Sequence, residues 1–263
     1  SRGTGLLGHV YTKPDERRQG AMRALMDRQM EDFRERQGEA LFLGTGYDSP
    51  PFHLYHSFGF RPVEPGSGKM EYYTGTRAAF EERWFADGEV EVAPFDWGDW
   101  APSAALFLSD GPEVVRCASL GILGRALPEG PLTRYFREEA GRQAGAEEQL
   151  APRAYVARHS LTGAVVGVSS WKEHPVWPET CIVDVFCHPR FWRCGSELLA
   201  GLALPDDAGC VSYTDAGTTG RSKTVRQANY RQTASLPRRV RARAAGPDRV
   251  DVEVWEKAAH KSK

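Results

Sequence analysis

The residues best suited to chemistry in this chain sit together in "PDERRQGAM", residues 14–22, directly ahead of a strongly periodic helical stretch. Arg17 and Arg18 fall at the helix N-terminus, where the macrodipole is positive and cations are mildly destabilising. That placement makes sense if a larger negative charge binds there. First-turn N–H groups have no intrahelical acceptor, and a preceding turn can aim further amides inward. Gly20 has no Cβ to hold an anion away from them. Arginine adds charge-assisted, bidentate hydrogen bonds that suit phosphate. Residues 17–22 therefore read as a diphosphate cradle. The competing reading, two solvated arginines beside a glycine that only tightens a turn, stays open on these residues alone.

Two other clusters carry weaker signals. Cys181, Cys187, Cys194 and His188 invite a metal reading. Cys181 and Cys187, however, lie six residues apart on an apparent strand, about 20 Å at the usual rise. One zinc does not span that distance, so buried, inert thiols and no metal site are expected. The most basic stretch is "PRRVRARAAGPDRVDVEVWEK" at residues 237–257. There Arg239, Arg241 and Arg243 alternate with Val240 and Ala242, while Asp251 and Glu253 alternate with valines. Folded at Gly246-Pro247-Asp248, this hairpin would set arginines opposite acids as a solvated cross-strand ladder. No interleaved aromatics offer base stacking, so nucleic acid is not expected as a partner.

The elements that must hold the first cluster follow from periodicity. Residues 6–12 read as a strand and residues 20–37 as a helix, with Met22, Leu25, Met26, Met30 and Phe33 on one face and Gly38 as its stop. Residues 41–45 read as a buried strand, and Pro50 opens a short helix ending at Gly59. Residues 60–74 form two strand pieces around a Gly-rich turn. Alternation of strand and helix gives an α/β (α+β) class. Residues 76–88 read as a charged helical connector, and a second unit runs from 89 to 263. It holds helical stretches around Trp97 and Trp100 and at 116–142, then three strands, a helix at 197–203, a strand, a helix at 222–229 and the basic hairpin.

Composition limits the alternatives. At 263 residues the chain suits one large or two ordinary domains, with 41% hydrophobic and 26% charged residues. The net charge of −1 confines any anion site to a local feature. No apolar run approaches the length needed to span a bilayer, and no secretory signal pattern is seen. Five irregularly spaced cysteines fit reduced thiols and a cytoplasmic location. Arginine far outnumbers lysine in an Ala- and Gly-rich chain, which points to a bacterial source.

Two segments, "VYTKPDERRQGAMRALM" and "LFLGTGYDSPPFHLYHSFGF", resemble the GNAT acyltransferases, which use acetyl-CoA or a related thioester. The first matches that family's strand, R-x-x-G-x-G/A turn and helix. The second matches its strand, helix and Y-x-x-x-G-F segment through Tyr55, Gly59 and Phe60. Met22 stands where the family prefers Gly or Ala, and Asp48 and Pro51 replace its common Asn and Ala. The resemblance covers residues 6–74, makes residues 1–75 the unit with the CoA motifs, and implies two GNAT-like units, each with a mixed, mostly antiparallel sheet flanked by helices. It implies that the amides of Arg17, Arg18, Gln19, Gly20, Ala21 and Met22 hold the CoA pyrophosphate. Val10, Tyr11 and Thr12 would bind the pantetheine arm, Asp48 would lie in the same site, and Tyr55 would protonate the departing CoA thiolate. A phenol suits that last role. His9, Thr12, His53 and His56 are the reachable candidates for a base.

The resemblance thus implies an acetyl-CoA-dependent N-acyltransferase with an amine acceptor. Alternatives are S-acyl transfer or decarboxylation of a CoA or carrier-protein thioester, and a non-catalytic acyl-CoA-binding module. The second unit echoes the first as a degenerate copy: Gly20 falls on Gly195, but Arg17 falls on Trp192, Met22 on Glu197 and Tyr55 on Val225. The first unit lacks the early elements the second has, so either a natural N-terminal part precedes Ser1, the favoured expectation, or those elements come from elsewhere.

Overall fold

Apolar residues at 40–44 and 69–73 build the centre of the first sheet in the computed structural model, which describes residues 3–243 and 247–259. The chain divides into two units at Ala86/Asp87. The first holds β1 (Thr4–Leu6), α1 (Ala21–Glu35), β2 (Ala40–Gly44), α2 (Pro50–Ser57), β3 (Arg61–Pro62), β4 (Lys69–Tyr73) and α3 (Arg77–Trp84). Sheet order is β1-β2-β4-β3, with β1 and β2 parallel and the other pairs antiparallel. Met26 and Met30 of α1 pack with Leu43, Phe52, Tyr55, Phe60, Met70 and Tyr72 in one buried cluster, which fixes both helices on one face of the sheet.

Two expectations for this unit need correction. The strand expected at 6–12 ends at Leu6, apart from a Leu7 N–H bond to the Phe42 carbonyl. His9 takes a left-handed φ of 56°, which an extended ladder does not accommodate, so Val10 to Thr12 leave the sheet as a strap. The left-handed residue ending α1 is Gln37, at φ 59°, rather than Gly38. Gly38 donates its N–H to Phe33 O at 2.8 Å, and a Cβ there would run into the Phe33 ring. The stretch 76–88, read as a helical connector, contains the helix α3, whose Phe80 and Trp84 are buried, with Phe80 packed on Tyr73 at 5.2 Å.

The second unit holds β5 (Val90–Pro94), α4 (Trp100–Leu108), β6 (Val115–Cys117), β7 (Ile122–Leu123), α5 (Glu129–Ala144), β8 (Ala154–His159), β9 (Val165–Glu173) and β10 (Thr180–Cys187). Then come α6 (Gly195–Ala200), β11 (Gly209–Asp215), α7 (Thr219–Gln227), β12 (Arg231–Arg241) and β13 (Arg249–Lys257). Its seven-stranded sheet runs β12-β13-β11-β10-β9-β8-β5, parallel only between β10 and β11. Both sheets are thus mixed, mostly antiparallel and flanked by helices, as the resemblance implies.

The helix expected at 116–142 starts only at Glu129. Ahead of it β6 and β7 form a small hairpin, with Gly121 in its turn at φ 76°. Arg116, polar by type, is buried there, donating to the carbonyls of Phe107 at 2.7 Å and Ser109 at 2.8 Å. The cross-strand ladder expected in the last hairpin does not form. Register shifts between Gln232 and Ala234 and between Leu236 and Val240 set Arg241 opposite Arg249 and Leu236 opposite Val252. The turn residue Gly246 lies outside the described residues. All five cysteines are buried free thiols.

His188 supplies a pH-dependent contribution in this unit. Its Nδ1 accepts the Arg190 N–H at the start of a 3-10 turn. Burial, then the Arg190 charge, push its pKa down to about 4. The folded state therefore favours the neutral ring, and the stabilisation present above pH 6.5 is lost as pH falls toward about 4. Between pH 7 and 4.5 the loss through this group should be about 2 kcal/mol. Denaturant midpoints at the two pH values, compared between the native chain and His188→Asn, measure it. The Asn variant keeps an acceptor at the cap and should show the shallower dependence.

Candidate active site

Because α1 begins at a glycine with φ 84° and ψ −3°, no side chain caps its N-terminus. The first intrahelical bond runs from Ala24 N–H to Gly20 O at 3.1 Å, so the amides of Ala21, Met22 and Arg23 precede it. The first turn contains no acid, and nothing lies within 4 Å of where a Gly20 Cβ would be. The helix mouth is open, positive and free of competing carboxylates within its own turn.

That mouth forms one wall of a cleft of about 470 Å³. The strap residues Val10, Tyr11 and Thr12 form a second wall, and Pro50, Pro51, Leu54 and Tyr55 from the start of α2 form the third. Arg17, Arg18, Gly20, Ala21 and Met22 all line it. A smaller hollow of about 270 Å³ flanks the strap and adds Lys13 and Leu25. Local folding explains why α2 faces the cleft. Ser49 Oγ accepts the Phe52 N–H at 3.3 Å, and Pro50 starts the helix at a position needing no donor.

Each cradle residue has its own geometry. Arg17 Nε donates to Thr12 O at 3.1 Å, tying the strap to the helix mouth. Arg18 sits at φ 64°, a left-handed conformation that side chains other than glycine resist. Gln19 turns away from the cleft wall, its amide donating to Asp15 O at 3.3 Å. Asp48 also lies outside the lining and pairs instead with His53 Nε2 at 3.0 Å.

Tyr55 is 8% exposed, packs edge-on against Phe60 at 5.9 Å and lines the cleft. Burial raises its pKa above that of an ordinary phenol, so it is protonated throughout the neutral range. Of the four candidate bases, only Thr12 lines the cleft; His56 stacks on Phe52 at 6.3 Å. Sequence reasoning missed Arg23 and Glu16 as lining residues. Arg23 reaches Ser57 Oγ at 3.5 Å and lies over the Phe58 ring at 5.5 Å. A third arginine in the positive first turn was the available signal, since it shares the anomaly of Arg17 and Arg18.

The acetyltransferase (GNAT) domain family model matches residues 2–63 of the chain. Among similar solved structures, an N-acetyltransferase from Staphylococcus aureus Mu50 is 13% identical over 65% of this chain and 99% of its own, with a TM-score of 0.48. A ribosomal-protein-S5-alanine acetyltransferase from Vibrio fischeri is 11% identical over 68% and 98%, with a TM-score of 0.48. The yncA protein of Salmonella typhimurium, solved with its cofactor acetyl-CoA, is 16% identical over 67% and 97%, with a TM-score of 0.45. No curated protein matches the chain. Among the described residues no helix is long and apolar enough to cross a membrane.

Proposed function

We propose that the chain is an acyl-CoA-dependent N-acyltransferase that moves acetyl, or another short acyl group, to the amine of a small molecule or peptide. The observation that carries this reading is the acid-free first turn of α1 opening onto the same cleft as Tyr55. The residues fit a CoA thioester: amides and guanidiniums for its diphosphate, a strap for its pantetheine arm, and a phenol for its sulfur. CoA supplies the activated acyl carbonyl. The amides of Ala21, Met22 and Arg23, with Arg18, hold the diphosphate. Arg17 keeps the strap in place through Thr12 O, leaving backbone groups of Val10 to Thr12 to orient the arm. As the acceptor nitrogen bonds to the carbonyl carbon and the C–S bond breaks, Tyr55 O–H gives its proton to sulfur. The acceptor's surplus proton leaves through Thr12 or water.

Residues 1–75 carry this site in our reading, and residues 89–263 form a degenerate copy. Gly195 of the second unit is buried against Thr224, and Val225 is fully buried where a proton donor would be needed. Buried free thiols support a cytoplasmic location.

Gly20→Val tests the cradle. A β-branched residue at φ 84° costs about 1–2 kcal/mol of backbone strain and puts methyl groups in the mouth. CoA affinity, read by calorimetry on the full chain, should fall at least about tenfold. Thermal unfolding should shift only modestly, because no atom is near enough to clash. Unchanged CoA affinity would remove the cradle from the mechanism.

A further inference from the structure

We propose that the β12–β13 ribbon is a docking face for the phosphate backbone of duplex DNA, separate from the acyl-transfer site and independent of it. The arginines of this hairpin are not neutralised as the sequence pattern suggests. The register places Arg241 directly opposite Arg249, a like-charge pair that destabilises a sheet. Arg239 precedes Arg241 by two residues, so strand alternation puts it on the same face. The acid on that face, Asp251, makes no ion pair among the described residues; its Oδ1 accepts the backbone N–H of Arg238 at 2.8 Å. Arg238 itself is held at φ 51° to make that bond, inside the register shift. Arg238, Arg239, Arg241, Arg243 and Arg249 are all exposed, and among the described residues none of them forms an ion pair. Residues 237–251 thus carry five arginines against two aspartates in a chain whose net charge is −1.

Edge protection is the simplest other use of charge here, since β12 is the outermost strand. An Arg–Asp or Arg–Glu pair would protect the edge equally while adding stability. Two arginines facing each other instead keep a cost that an external anion would remove. The chemistry of the face narrows the partner. A protein partner needs apolar or aromatic anchors at the interface core. Residues 237–251 contain no aromatic, and Val240 and Val250 are half-buried. Single-stranded nucleic acid needs stacking platforms, which are equally lacking. Guanidinium forks match phosphates, and a two-stranded ribbon has the width of the B-DNA major groove, whereas that of A-form RNA is too narrow.

Fluorescence anisotropy of the full chain with a DNA duplex of about 20 bp, at about 50 to 200 mM salt, tests the proposal. Three to four phosphate contacts should give a slope of log K against log salt of about −3. The triple variant Arg239→Gln, Arg241→Gln, Arg249→Gln should flatten the slope toward zero and weaken low-salt binding at least about tenfold. It should unfold no earlier than the native chain, since it removes like-charge repulsion. Substituting the exposed Arg134 and Arg137 of α5 should leave binding unchanged. The proposal is overturned by no binding at the lowest salt or by full binding in the triple variant. Duplex RNA bound as tightly as DNA, or polyglutamate competing as well as the duplex, overturns it equally.

Discussion

Tyr55→Phe should lower kcat by about 100-fold or more and leave CoA affinity essentially unchanged, because positioned general acids contribute about 10²–10⁴ in rate. The substitution is clean. Tyr55 keeps its contacts through the ring, which lies edge-on to Phe60 within the cluster holding α1 and α2 to the sheet. Only the hydroxyl is lost and the ring contacts remain, so a fall in turnover is not explained by unfolding. Steady-state release of CoA thiol, with acetyl-CoA and a panel of amines, measures kcat; calorimetry measures affinity. The pH profile supplies an independent check. Burial raises the phenol pKa, so the proton donor is intact at neutral pH and is lost only as pH rises through that elevated value. The alkaline limb of kcat in the native chain should therefore lie above about 10, and the Phe variant should lack it. Undiminished kcat in the variant would remove Tyr55 from catalysis. Intact CoA binding with no turnover in the native chain, whatever the amine, would leave an acyl-CoA-binding module.

The cleft was legible where its logic is local. Misplaced arginines, a glycine and a periodic helix are neighbours in sequence, and Gly20, Arg17 and Arg18 do meet Tyr55 across one space. The strap was less legible, because its departure from the sheet depends on the left-handed turn at His9 and on Arg17 gripping Thr12 O. Neither leaves a mark in hydrophobic periodicity. The same limit explains the misread helix at 116–142. Arg116 looks like a solvent-facing helical position, yet carbonyls of Leu106, Phe107 and Ser109 satisfy its guanidinium in the interior. In the last hairpin, alternation gave the strands correctly. Their pairing was set by two register shifts that place like charges together, and a two-residue pattern cannot encode those shifts.

Asp184→Ala should destabilise the second unit by about 3–5 kcal/mol, the usual cost of leaving one member of a buried ion pair alone. β10 and β11 pair only at Thr180–Ile182 and Gly209–Val211, and then part. The segment containing β6 is bonded to both strands beyond that point. Asp184 accepts the Ser119 N–H at 2.6 Å, and Asp215 accepts the N–H groups of Val114 and Val115 at 2.9 and 3.0 Å. Arg221 of α7 locks the arrangement by donating to Asp184 and to the Val115 carbonyl. Both partners of the ion pair are completely buried. Removing the carboxylate strands a guanidinium in the interior and deprives the Ser119 amide of its acceptor. Arg221→Met should cost a similar amount, by stranding the carboxylate instead. The double variant Asp184→Ala, Arg221→Met should lose less than the sum of the two single variants, since no unpaired charge remains. Tryptophan fluorescence is a suitable readout, because every tryptophan except Trp84 lies in this unit. Additive losses in the double-mutant cycle would show that the two charges do not act as a pair, and that hydrogen bonds from each separately hold β6 between the parted strands.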